Sequence, residues 1–299
     1  MTDKVRNGYE NLTLARRGEY YMAKIIEKKR LNDLVWSYRF HAPHIASKRK
    51  AGQFIILQVN SGGERIPLTI ANASEQYGWV EIIFQVVGLS TILLSQLNVG
   101  DEVPVFVGPL GKPTHIQNYG KCICIGGGVG IAPLFPIVEA LKASGNDITT
   151  IIGARNQSLL ILEDQMKVVS DRLFVVTDDG SYGERGFVSD VLNKLLSNQE
   201  RFDYAMVIGP PIMMKATSAV TLNAGIPTWV SLNPVMVDGT GMCGGCRVNI
   251  DGKAYFACVD GPEFNAKGID WEVLTRRLNN YNFQNPSVSL DHKCKLAGK

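Results

Sequence analysis

An apolar run, Lys121 to Ile125, passes through Gly126-Gly127-Gly128-Val129-Gly130 into a helix-patterned stretch, Ala132 to Ala143. A strand that ends in a glycine turn and restarts as a helix commits this part of the chain to a strand–turn–helix unit. Pro133 suits the first helical turn, because it lacks an N–H that would have no intrahelical partner there. The absent side chains let a phosphate approach the backbone, and the amides and dipole at the helix start favour its charge. Tight packing of helix on sheet asks for the same glycines, so this turn alone does not define a site.

The unit recurs. Asp147 to Ile152, Leu173 to Thr177, Tyr204 to Ile208 and Thr228 to Leu232 read as strands, with helical segments near Phe187 to Leu196 and Pro211 to Leu222. Such alternation predicts an α/β domain with a parallel sheet covered on both faces. All its glycine turns then share the carboxyl edge, where open α/β sheets bind ligands. Gly128, Gly130, Ala132, Pro133, Gly153, Ala154, Arg155, Asp179, Gly180, Gly209 and Pro210 are the candidate nucleotide contacts on that edge.

Upstream the rhythm differs. Ala23 to Lys28, Val35 to His41, Gln53 to Val59, Val80 to Val87 and Glu102 to Val107 are short strand-like runs separated by turn signals such as Lys50-Ala51-Gly52 and Val99-Gly100-Asp101. One short helix is expected near Thr91 to Leu97. This spacing predicts a small antiparallel β-barrel. The chain divides into an N-terminal extension (1–21), the barrel (22–117), the nucleotide domain (118–232), a cysteine-bearing module (233–262) and a polar tail (263–299) with a helix around Trp271 to Leu278.

Composition removes several function classes. Lys and Arg total 31 against 28 Asp and Glu, a net +3 that is dispersed along the chain, so nucleic acid is not an expected partner. Apolar residues at 45% and charged residues at 20% exclude disorder for the bulk of the chain. The first 21 residues lack an apolar h-region, and the longest uncharged run, Cys122 to Val138, is broken by glycines and prolines. A cytoplasmic location without a membrane span is the expectation. Cysteines are reduced there, which favours metal binding or redox chemistry over disulfides.

Three of the six cysteines fall together, in Asp238-Gly-Thr-Gly-Met-Cys243-Gly-Gly-Cys246 followed by Cys258. Three thiolates can grip a metal centre, but zinc and iron–sulfur sites ordinarily need four protein ligands. Asp238 stands close to where the first cysteine of a plant-type C-x4-C-x2-C pattern belongs, and a carboxylate there can complete the coordination. Asp-x4-Cys-x2-Cys-x11-Cys thus points to a [2Fe-2S] cluster on Asp238, Cys243, Cys246 and Cys258. Two alternatives stay open: Asp238 as an ordinary turn aspartate with Cys294 in reserve, or a zinc site completed by His292. Cys122 and Cys124 read as buried core.

In the barrel half, Arg65-Ile66-Pro67-Leu68-Thr69 precedes Gly88-Leu89-Ser90-Thr91. Arg65 offers a positive fork for a pyrophosphate, Thr69 a hydroxyl for a ring edge, and the Gly88 segment a second helix start for phosphate. An antiparallel barrel carrying Arg-x-Pro-Leu-Thr and then Gly-x-Ser-Thr, followed by a glycine-rich nucleotide domain, resembles the ferredoxin-NADP reductase superfamily over residues 22–232. That resemblance implies FAD on Arg65, Pro67, Leu68, Thr69, Gly88, Ser90 and Thr91, and NAD(H) at the sheet edge. Pro67-Leu68 replaces the tyrosine of the plant-type pattern, as in the branch containing the electron-transfer subunit of dihydroorotate dehydrogenase.

With aspartate in the first ligand position, the cysteine module resembles the small subunit of NADH-dependent reduced ferredoxin:NADP oxidoreductase, related to sulfide dehydrogenase subunits. The dihydroorotate dehydrogenase partner resembles it but carries cysteine at the position of Asp238. The resemblance implies a heterodimer with a large subunit bearing another flavin and [4Fe-4S] clusters, coupling NADH, NADPH and ferredoxin by electron bifurcation. Hydride transfer between nicotinamide and flavin needs positioning more than protein acid–base groups, so no catalytic side chain is expected. Arg155, where a Rossmann acid would mark NAD, leaves NAD against NADP open. The rival from another class is a zinc-bearing nucleotide sensor.

Overall fold

The computed structural model describes residues 22–282. The N-terminal extension, His292 and Cys294 lie outside the described residues.

The first half is a seven-stranded antiparallel sheet of order β6-β1-β2-β5-β4-β3-β7. Its strands are β1 (Ala23–Arg30), β2 (Val35–His41), β3 (Phe54–Gln58), β4 (Arg65–Ser74), β5 (Trp79–Gln85), β6 (Glu102–Val103) and β7 (Val105–Leu110). Helix α1 (Pro43–Ala46) follows β2, and α2 (Leu89–Gln96) follows β5. The single strand expected over Glu102 to Val107 is two strands. Pro104 has no N–H for a ladder, so pairing breaks there. Before the break the chain pairs with β1, and after it with β3. One continuous stretch therefore bonds to both ends of the sheet, which curls it into a nearly closed barrel. Its interior is aromatic: Phe40 stacks on Phe106 at 4.7 Å and Tyr38 meets Phe84 edge-on at 5.2 Å, pairs of a kind that contribute about 0.5–1.5 kcal/mol each beyond area burial.

The second half contains β8 (Lys121–Gly127), α3 (Ile131–Ala143), β9 (Asp147–Ala154), α4 (Glu163–Val169), β10 (Arg172–Thr177), β11 (Glu184–Arg185), α5 (Val188–Ser197), β12 (Tyr204–Ile208), α6 (Pro211–Asn223) and β13 (Thr228–Ser231). The cysteine region follows with a two-stranded sheet of β14 (Arg247–Ile250) and β15 (Lys253–Phe256), then β16 (Glu263–Asn265) and α7 (Trp271–Asn282). The main sheet runs β11-β10-β9-β8-β12-β13-β16, parallel through β13. Cys122 and Cys124 are fully buried on β8, and burial pushes the Cys124 thiol up.

The polar tail expected from residue 263 onward is corrected by the structure. Glu263–Asn265 pairs antiparallel with β13, with Phe264 buried in the core. Three residues are too few for a period-2 pattern to be read, so only tertiary packing reveals the strand. Barrel and sheet share a hydrophobic cluster: Val35, Ala51, Ala71 and Ile83 from the barrel pack with Ile131, Leu134 and Ile137 of α3. That shared core holds the start of α3 against the barrel.

Candidate functional site

The turns after β8, β9, β10 and β12 all lie at one carboxyl edge, because these strands are mutually parallel. Gly128, with φ +56°, has nothing within 4 Å of where a Cβ would stand. Its backbone is open to a ligand. Gly130 is the opposite case: a Cβ there would lie 2.7 Å from the Ile208 carbonyl oxygen and 2.9 Å from Gly209 Cα. The first glycine turn therefore rests directly on the fourth. The second and third are also laced together, with the Asp178 N–H donating to the Ala154 carbonyl at 3.1 Å and the Asp179 N–H to Arg155 at 3.2 Å.

The Asp178–Tyr182 turn is fixed from below by Thr177, whose Oγ1 donates to the Tyr182 carbonyl at 2.6 Å and accepts its N–H at 3.1 Å. Ser181, through its hydroxyl and its N–H, holds the exposed Asp179 carboxyl below the usual carboxylate range. Asp178 is shifted the other way, first by desolvation and then by Asp179, against the opposing pull of Arg155. Arg155 thus acts on the Asp178 carboxylate, whereas the cation that acts on Asp179 is Arg185.

In the barrel, Arg65 to Thr69 form the first half of β4, with Arg65 exposed. The Gly88 motif lies beside them, since Ser90 Oγ donates to Glu64 Oε2 at 3.3 Å. Thr91 acts locally, because its Oγ1 accepts the N–H groups of Val87 and Gly88 at 3.0 and 3.1 Å and donates to the Gly88 carbonyl at 2.9 Å. It caps α2 from inside. Helix α3 packs against β4, and the Gly128–Gly130 turn before it meets the neighbouring strand β5.

The cysteine module is built on a hairpin. Asp251 and Gly252 both have positive φ, 49° and 74°, and join β14 to β15 as a two-residue turn. Arg247 pairs with Phe256, which brings the residues flanking the hairpin together. Cys246 and Cys258 are both buried, with sulfurs 3.2 Å apart. The eleven residues separating them are the length of this hairpin plus Ala257. Burial and the Cys246 sulfur push the Cys258 thiol up to about 12, while the Gly241 N–H acts in the opposite direction. Asp-Gly between two alternating runs is a strong hairpin signal, and the sequence carries it.

Cys243 sits exposed on the preceding loop, where Gly239, Gly241 and Gly244 take positive φ. Asp238 organises that loop: Oδ1 accepts the Thr240 N–H and Oδ2 the Cys243 N–H, both at 2.9 Å. These bonds, Thr240 first, hold its carboxyl below the ordinary value. An ionised carboxylate has about four acceptor sites, so two N–H bonds leave capacity for a metal. Among the described residues no three His, Cys, Asp or Glu groups are arranged to hold one metal ion. Soft thiol donors, a buried sulfur pair and a backbone N–H directed at Cys258 fit an iron–sulfur cluster.

Glu263 carries no sequence signal; its half-buried carboxyl stands where the barrel segments around Gly52 and Thr114 meet β16. Its Oε1 accepts from Thr114 Oγ1 at 2.7 Å and crowds the place where a Gly52 Cβ would lie. Desolvation raises the carboxyl to about 7, with Thr114 opposing. Its folded pKa exceeds the unfolded value, so its contribution is fully present below about pH 4.5 and is lost as pH rises through about 7. Glu263→Gln is expected to gain about 2–3 kcal/mol relative to wild type between pH 5 and pH 8, measured from denaturant midpoints. An unchanged difference at the two pH values would contradict the upward shift of this carboxyl.

Comparison with known proteins gives this geometry a family. Residues 124–219 match the oxidoreductase NAD-binding domain, and residues 233–270 match the iron–sulfur cluster binding domain of dihydroorotate dehydrogenase B. With a barrel before them, these modules define an electron-transfer oxidoreductase subunit. The chain is 45% identical, over 92% of its length and 97% of the relative's, to a dihydroorotate dehydrogenase B (NAD(+)) electron transfer subunit homolog of Thermotoga maritima. The corresponding subunit of Desulforamulus reducens is 31% identical over 84% of this chain and 98% of its own length. The chain belongs to the family of dihydroorotate dehydrogenase B electron-transfer subunits. A solved structure of NADH-dependent reduced ferredoxin-NADP oxidoreductase, described in terms of flavin-based electron bifurcation, matches with TM-score 0.83 and 44% identity, covering 88% of this chain and 94% of that one. Among the described residues no helix is long and apolar enough to cross a membrane.

Proposed function

We propose that this chain is the nicotinamide-facing electron-transfer subunit of a complex of the NADH-dependent ferredoxin-NADP oxidoreductase type. In that reading FAD, NAD(H) and a [2Fe-2S] cluster are its cofactors, and its partner is a larger subunit with flavin and [4Fe-4S] clusters through which ferredoxin is engaged. When bound, these groups supply hydride transfer and the splitting of an electron pair into single electrons. Arg65, Pro67, Leu68, Thr69 and the Gly88 helix start would hold the flavin. The four turns at the carboxyl edge would hold the nicotinamide nucleotide, with the Gly128 backbone open to phosphate. Asp178 offsets the charge of Arg155, which favours two free ribose hydroxyls over a 2′-phosphate and therefore NADH. Asp238, Cys243, Cys246 and Cys258 would hold the cluster.

The observation that carries this reading is the carboxylate of Asp238 against the Cys243 backbone, at the place where the resembling dihydroorotate dehydrogenase partner has cysteine. The second reading is a dihydroorotate dehydrogenase or sulfide dehydrogenase type subunit, and the names of the relatives favour the first of these. An assay of the native complex separates the two. NADH with reduced ferredoxin is expected to drive NADP reduction, kcat/KM at this subunit should be higher for NADH than for NADPH, and dihydroorotate should not reduce NAD. Dihydroorotate-dependent NADH formation would establish the second reading.

A further inference from the structure

Helix α7 begins at Trp271, beyond the 233–270 span of the iron–sulfur family match. Leu274 is buried, and Trp271 and Leu278 pack beside it on the core. This seating presents Arg277 to the cysteine loop, where Nη2 donates to the Gly245 carbonyl at 2.9 Å. Gly245 lies between Cys243 and Cys246. Among the described residues no carboxylate forms an ion pair with Arg277. Arginine cannot be deprotonated in proteins, so the loop carries a permanent, half-buried positive charge next to the thiol site.

We propose that Arg277 is a positioning residue that fixes the loop between Cys243 and Cys246 and raises the reduction potential of the iron–sulfur cluster held there. The proposal rests on reading this loop as the cluster site. Reduction adds one electron, supplied by the nicotinamide through the flavin, and needs no proton, so the site gains one negative charge. A fixed cation nearby stabilises that charge, and the net charge and hydrogen bonding around a cluster set its potential. A guanidinium also holds a carbonyl by directional N–H groups, which a lysine does only as a mobile point charge.

Redox titration of the holoprotein, followed by the visible absorption and electron paramagnetic resonance of the cluster, tests this. Arg277→Gln is expected to keep iron and acid-labile sulfide while disfavouring the reduced state about fivefold to tenfold, tenfold being about 59 mV for one electron. Arg277→Lys should recover most of the wild-type potential. A fully loaded Arg277→Gln protein titrating at the wild-type potential would overturn the proposal. If Arg277→Gln loses the cluster, a loaded Arg277→Lys protein near the wild-type potential supports it, and loss of the cluster in both variants overturns it. Absence of iron and sulfide from the wild-type protein would instead refute the site reading beneath it.

Discussion

Cys258→Ser is expected to abolish the iron–sulfur absorption while leaving the protein folded and its bound flavin reducible by NADH. The two buried sulfurs at 3.2 Å are the part of the candidate site that the fold itself brings together. Removing one leaves Cys246 facing a harder oxygen donor. Transfer to a cluster-dependent acceptor should fall by about 100-fold or more, beyond the 10–100-fold that outer-shell partners of metal sites control. Asp238→Ala should be milder in packing but not silent, because the N–H groups of Thr240 and Cys243 both lose their acceptor. Iron and sulfide analysis beside flavin content is the measurement. A Cys258→Ser protein with wild-type iron and sulfide would remove this cysteine from the ligand set, and unchanged content in Asp238→Ala would return the fourth place to Cys294 or another group.

Gly130→Ala is the second large effect. Its added methyl would meet the Ile208 carbonyl oxygen at 2.7 Å and Gly209 Cα at 2.9 Å, and these are backbone atoms that cannot rotate away. The first and fourth turns must separate, at an overpacking cost of about 1–3 kcal/mol. Affinity for NADH should fall about tenfold or more, since 1.4 kcal/mol is a factor of ten. Gly128→Ala differs in kind: it meets open space but must adopt φ +56°, a strain of about 1 kcal/mol without displacement of a neighbour. Thermal unfolding and NADH titration of both variants distinguish them. Wild-type NADH affinity in Gly130→Ala would place the nucleotide elsewhere.

The large-scale organisation was legible because it rests on repeated signals. Apolar runs ending in glycine turns recur after residues 125, 152 and 208, and each became a parallel strand with its turn at the shared edge. The candidate flavin motif was legible as two segments but not as one place; the Ser90–Glu64 bond shows them to be neighbours. Features made by long-range contact left little trace. Pro104 reads as a blemish in a strand, although it marks the point where the barrel turns from one partner to the other. Arg277 reads as one more charge on a surface helix until packing of Leu274 aims it at Gly245. The hairpin between Cys246 and Cys258 could have been read from Asp251-Gly252, and its length is why these cysteines are spaced as they are.

Strand β16 bears on how this protein can be cut and fused. It comes after the last clustered cysteine, yet it lies in the nucleotide sheet as the outer neighbour of β13. A truncation before residue 263, drawn to isolate the flavin and nucleotide parts, would strip that neighbour away and bare the edge of β13, a ready template for pairing with other chains. The useful excision boundary therefore falls after Asn265, and an expression library built on shorter fragments should return insoluble material for reasons unconnected with iron.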